Sequence, residues 1–172
     1  MRCVQCNGEV PTARFCSNCG ASLGLSSVVR NRDEFDLDWL STVLVKLGFT
    51  VEPRAATDGG TSTIILVRHN EQPNYVIDYR YEFRVILVTS WWGIKPPGFL
   101  GKNELFKTIN SLNNKIICAQ CSVSENDLSS LEIQTSFFLT DSIAEVDIAA
   151  FMEFSAVLVR RVMSQERLKS YV

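Results

Sequence analysis

Histidine is almost missing from this sequence: His69 is the sole imidazole among 172 residues. One imidazole beside Arg68, with no cysteine or carboxylate pattern around it, builds neither a catalytic triad nor a His-rich metal cluster, and a surface role is its expected part. A Gly-x4-Gly-Lys phosphate loop, a nucleophile elbow and motif-borne carboxylate pairs are absent too, so a non-enzymatic protein is expected. No run comes near the ~18 consecutive apolar residues of a membrane span, and the opening Met1-Arg2-Cys3-Val4-Gln5-Cys6 lacks the apolar stretch of a signal peptide. Cytoplasmic residence without a membrane partner is the resulting expectation. An excess of one charge is also lacking: 17 Lys and Arg face 19 Asp and Glu. That balance gives no global attraction to phosphate backbones, and nucleic acid is not the expected partner.

What is present is an ordinary globular composition, 46% hydrophobic and 21% charged, enough for one domain with an appendage. Four of the six cysteines fall within the first nineteen residues, as Cys3-Val4-Gln5-Cys6 and Cys16-Ser17-Asn18-Cys19. Each pair is followed by residues that tolerate positive φ, Asn7-Gly8 and Gly20, and Cys-x2-Cys turns of this kind bring two thiolates onto one ion. Cys3, Cys6, Cys16 and Cys19 are therefore the expected ligands of a structural Zn2+; two disulfides or free thiols are the alternative. Four protein ligands close the shell, which argues against a catalytic metal. Residues 1–24 offer only Val4, Val10, Phe15 and Leu23 to bury, so they need a metal or covalent staple to fold. The segment resembles the short zinc ribbons that bacterial proteins carry at one end, with Phe15-Cys16-Ser17-Asn18-Cys19-Gly20 matching the second knuckle and Asn7 replacing the first knuckle's glycine. The domain reading is a ribbon over 1–24, a linker over 25–32 signalled by the stretch Gly24-Leu25-Ser26-Ser27 at the boundary, and a larger domain over 33–172.

In that larger domain Leu37, Leu40, Val43, Leu44 and Leu47 recur at helical spacing, predicting a helix over 34–47 closed by Gly48, with Phe49 touching Leu44. Ile64 to Val67 reads as a buried strand after a Gly59-Gly60 loop. Alternation from Tyr75 puts Tyr75, Ile77, Tyr79 and Tyr81 on one face, continued by Phe83, Val85, Leu87 and Trp91, as one bent strand or two joined by a tight turn. A helix is expected over 103–113, with Leu105, Phe106, Ile109 and Leu112 on one side and Asn113-Asn114 ending it. Strands follow over 115–123 and 130–140, the latter with Leu131, Ile133, Phe137 and Leu139 inward. Ser142 and Glu145 read as a capping box opening a helix to about residue 168. Arg160, Arg161 and Lys169 then suit a helix C-terminus. The fold class is α+β: an antiparallel sheet with helices packed on one face.

Cys118-Ala119-Gln120-Cys121 lies in a predicted strand, where a separation of three sends the thiols to opposite faces; packing is expected there rather than thiol exchange. Trp91 and Trp92 must likewise point to opposite sides, so one of them is a candidate partner-binding anchor, with core packing as the alternative. The apolar arc of the last helix offers a two-fold homodimer interface.

The stretch Leu44-Val45-Lys46-Leu47-Gly48-Phe49, the passage from Leu105 to Asn113-Asn114-Lys115, and the alternating Leu131 to Leu139 strand leading into a long helix resemble the YbjN family, bacterial proteins described as sensory transduction regulators. The resemblance spans residues 33–169 and implies a fold like that of type III secretion chaperones, dimerisation and a protein-binding or regulatory role. It transfers no functional residue. The combined expectation is a cytosolic protein-binding adaptor, chaperone-like or regulatory, carrying a structural zinc ribbon; the alternative is a nucleic-acid-binding regulator acting through the ribbon.

Overall fold

The computed structural model describes residues 25, 28–54, 62–70, 72–80, 82–95, 98, 101–123 and 128–171. Strand β1 (Arg30–Asn31) leads through a single 3-10 turn into α1 (Leu37–Lys46). Four strands follow, β2 (Thr50–Arg54), β3 (Ser62–Arg68), β4 (Tyr75–Arg80) and β5 (Val85–Gly93), then α2 (Lys102–Lys115), β6 (Ala119–Val123) and β7 (Ser130–Phe138). The chain closes with β8 (Ser142–Ile143), α3 (Glu145–Met163) and α4 (Glu166–Lys169).

Local chemistry sets the ends of α1. The Trp39 N–H donates to Asp36 Oδ1 at 2.6 Å, which satisfies one of the orphan donors of the first turn. At the other end Gly48 sits at φ 84, its N–H reaches the Val45 carbonyl, and the Phe49 N–H reaches the Leu44 carbonyl at 3.0 Å. That is the Schellman pattern expected from the sequence, and Leu44 and Phe49 are both buried.

β2 to β7 form one antiparallel sheet in the order β2-β3-β4-β5-β7-β6. Residues directly opposite share a face, so the register sorts every side chain. One inward row runs Ile65, Ile77, Val88, Thr135 and Ala119 across five strands, and all five are buried. The buried sides of α1, α2 and α3 join these positions in a single core that includes Leu40, Leu44, Leu105, Ile109, Ile148 and Val159. Phe35 meets Tyr79 edge-on at 4.7 Å and Phe137 lies 4.9 Å from Phe151, so α1 and α3 lie on the same side of the sheet. Each such apolar side chain, once buried, contributes roughly 1.5–3 kcal/mol. One polar contact crosses this core: the hydroxyls of Thr135 and the fully buried Ser155 lie 2.8 Å apart, each satisfying the other where water is excluded.

Several expectations are corrected. β2 is an additional strand, hidden in the sequence by Pro53, which an edge position accommodates. The segment from Tyr75 takes the second of the two forms the sequence allowed, two strands joined by a turn, but the alternation does not run on through it. Arg80 pairs with Val85 across a four-residue turn, so the inward set passes from odd positions, Tyr75, Ile77 and Tyr79, to even ones, Ile86 and Val88. Arg84 takes the left-handed φ of 51 that the turn requires, and Phe83 is left exposed. Tyr81 lies outside the described residues. The cap of α3 is also different: Ser142 belongs to β8, paired with Asn31 of β1, and Asp147 Oδ2 accepts the Ala144 N–H at 2.8 Å. That helix ends at Met163, and residues 166–169 form the separate α4.

Candidate functional site

The ligand set Cys3, Cys6, Cys16 and Cys19 lies outside the described residues. Among the described residues, no group of three or more His, Cys, Asp or Glu side chains is arranged to hold a metal ion, and no helix is long and apolar enough to cross a membrane.

The two tryptophans separate as the alternation demands. Trp92 packs against the core and donates its indole N–H to Ser90 Oγ at 3.2 Å. Trp91 points to the opposite side of β5 and is 46% exposed. Its Nε1 donates to Oε1 of Glu132, the residue opposite on β7, at 2.9 Å, while Ser122 Oγ donates to the other carboxylate oxygen at 3.2 Å. Both Glu132 oxygens are thus engaged, and the indole is held on a fixed cross-strand platform.

Trp91 belongs to an outward face with an unusual composition. Its rows read Leu66, Val76, Thr89, Gln134 and Gln120; then Asp78, Leu87 and Ser136; then Arg80, Val85 and Phe138. A sheet with one wet side should carry polar residues here. Thr89, Gln134, Gln120, Asp78, Ser136 and Arg80 are of that kind, but Leu66, Val76 and Leu87 face outward among them half-buried, as does the buried Val85, and none of these four belongs to the core shared with the helices. Phe138 is 69% exposed and Ile117, just before β6, is 96% exposed. Between them lies a depression of about 400 Å³ lined by Ile117, Cys118, Gln120, Gln134, Ser136 and Phe138, with Ala119 beneath. In the middle of the face Asp78 pairs with Arg80 through Oδ2, and its other carboxylate oxygen is buried without a hydrogen-bond partner among the described residues.

Phe138 and Ile117 were not singled out from the sequence. The signal for Phe138 was available, since Phe137 and Phe138 are adjacent on a strand and cannot both face inward. Ile117 had none, because the turn that ejects it is set by where α2 ends.

The remaining sequence candidates are dispersed. Cys118 is an exposed free thiol, whereas Cys121 is buried on the inward face and burial pushes its thiol up to about 11. A thiol held protonated inside the core is a poor nucleophile, which matches packing and not exchange. His69 sits in the turn after β3: its Nδ1 accepts the Gln72 N–H at 3.1 Å and its ring lies 4.9 Å from that of Phe49. The buried Tyr75 hydroxyl has no hydrogen-bond partner among the described residues; burial raises its pKa, with the Arg160 charge opposing. Arg160 and Arg161 occupy the last turn of α3, and Lys169 pairs with Glu166 within α4. Most of the apolar arc of α3 is buried against the core, and Phe154 and Val157 remain exposed on its outer side.

No protein-family model and no curated protein matches the chain. Among solved structures, its fold is similar to that of YbjN from E. coli, named as a candidate transcription regulator, with a TM-score of 0.59 and 14% identity. The match covers 80% of this chain and 95% of that one. At that identity the likeness is one of fold.

Proposed function

We propose that the protein is a non-enzymatic adaptor or regulator that binds another polypeptide through the outward face of its sheet. The observation that carries this reading is the pair of exposed aromatics, Trp91 and Phe138, rising from an outward face that also holds Leu66, Val76 and Leu87. Glu132, opposite Trp91, and Phe138 are six residues apart along β7, so the two anchors are spaced by about 20 Å. Exposed apolar surface of this kind costs solubility unless a partner covers it, and rigid aromatic anchors supply most of the binding energy of such contacts. The Trp91–Glu132 bond restrains the indole before any encounter, which lowers the ordering cost of binding.

Within the same proposal, Cys3, Cys6, Cys16 and Cys19 hold a structural Zn2+ and residues 1–24 form a ribbon attached to this domain. The name given to the E. coli neighbour lends support to a second reading, a nucleic-acid-binding regulator acting through the ribbon. Against it stands the composition of 1–24, where Arg2 and Arg14 face Glu9 and the four thiolates.

A protein carrying both Trp91→Asp and Phe138→Asp, shown to be folded by its near-ultraviolet circular dichroism, tests the leading reading. The expected result is loss of a discrete polypeptide that the parent protein captures from lysate. Undiminished capture sinks it. Salt-dependent DNA or RNA binding that disappears on deleting residues 1–24 would favour the second.

A further inference from the structure

The sheet has two edges, β2 and β6, and an exposed edge is a template for adding another strand. On β2, Pro53 removes one backbone donor. β6, Ala119–Val123, has no proline, charge or bulge along it, so some other feature must deal with its outward N–H and C=O groups.

That feature is a side chain. From the last turn of α2, Asn113 accepts the Cys121 N–H on Oδ1 at 2.7 Å and donates from Nδ2 to the Cys121 carbonyl at 2.9 Å. In an antiparallel ladder the backbone groups of alternate residues point to alternate sides. Since those of Cys121 point to Asn113 and away from β7, the N–H and C=O of Ala119 and Val123 share that outward direction. An incoming strand would bond to these three residues, spaced by about 6.8 Å. Asn113 occupies the central one and leaves the flanking pair about 14 Å apart, too far for a continuous ladder. An Asn amide holds an N–H and a C=O side by side in nearly the geometry of a peptide group, so it can stand in for a neighbouring strand at a single position.

The geometry points to Asn113 as a latch that closes the β6 edge against strand addition. Without it, the edge pairs with an extended strand, and in purified protein the available one is β6 of a second copy. This goes beyond the outward-face reading and does not depend on it, because the edge lies in the plane of the sheet.

The test combines amide hydrogen exchange with sedimentation for the parent, Asn113→Ala and Asn113→Asp. Asn113→Asp keeps the acceptor but sets a carboxylate against the Cys121 carbonyl. In the parent, the Cys121 amide is protected. In dilute Asn113→Ala it loses that protection while the Ile133 amide keeps its own, which shows the fold to be intact. At high concentration Asn113→Ala associates one step beyond the parent, and the Ala119 and Val123 amides become protected together. Asn113→Asp associates to a lesser degree. Two results overturn the proposal: a Cys121 amide that stays protected in Asn113→Ala, or an exposed Cys121 amide without association. Association that leaves the Ala119 and Val123 amides exchanging freely overturns it as well.

Discussion

Lys46 Nζ lies 2.6 Å from Glu145 Oε1, joining the last turn of α1 to the first residue of α3 across 99 positions of sequence. The Glu145 side chain is nearly buried, while that of Lys46 is 42% exposed. The carboxylate also sits at a helix N-terminus and the ammonium at a helix C-terminus, where each is favoured by the backbone dipoles. Glu145→Gln and Lys46→Met are each expected to lower stability by about 1 kcal/mol, with the double variant losing less than the sum. Urea denaturation of the four proteins measures the coupling, and additive losses would remove the pair from the account.

The raised Cys121 pKa makes stability depend on alkaline pH. The thiol is protonated in the folded state up to about 11, against an ordinary value of 9.0. Below pH 9 both states hold the proton and the contribution is constant. Between 9 and 11 the unfolded chain loses it first, so stability falls as pH rises through that window. Cys121→Ala should flatten this part of the urea-midpoint profile relative to the parent. Identical slopes would mean that the buried thiol is not its source.

Thiol access should separate two cysteines only three residues apart. With a maleimide and peptide mapping, Cys118 reacts in the native protein and Cys121 reacts only after denaturant is added. Comparable native rates would contradict the placement of Cys121 in the core.

Much of this architecture was legible in the sequence, because residues such as Leu40, Leu44, Leu105, Ile109, Leu131 and Ile133 carry clean helical or alternating periods. A tight turn after Tyr75 was one of two readings, but its place at Glu82–Arg84 was not legible, since parity across a hairpin depends on which residues pair and no local propensity states that. β2 was obscured because Pro53 argues against a strand unless the strand is known to be at an edge. Of the candidate site, the opposed tryptophans followed from alternation alone. The outward apolar face did not, because Leu66 and Leu87 read as core until the register placed them beside Val76 on the side away from the helices. Asn113 read as a helix terminator, while its contact with Cys121 is a tertiary one that spacing does not reveal.

For the amino-terminal segment the expectation is one zinc per chain, released by a strong chelator together with folding of residues 1–24. The thermal transition of the sheet domain should be unchanged by chelation. Cys16→Ser should abolish stoichiometric zinc in elemental analysis, and a metal-free parent with the four cysteines paired as disulfides would refute the ligand set.

The outward face is tested most directly by placing a photo-crosslinking amino acid at position 91, 138 or 157 in living cells. Trp91 and Phe138 stand on the outward side of the sheet, and Val157 is an exposed apolar control on α3. Positions 91 and 138 are expected to trap the same discrete polypeptide, and position 157 is not. Adducts at 157 alone, or at 91 and 138 only with the protein itself, would contradict the outward-face proposal.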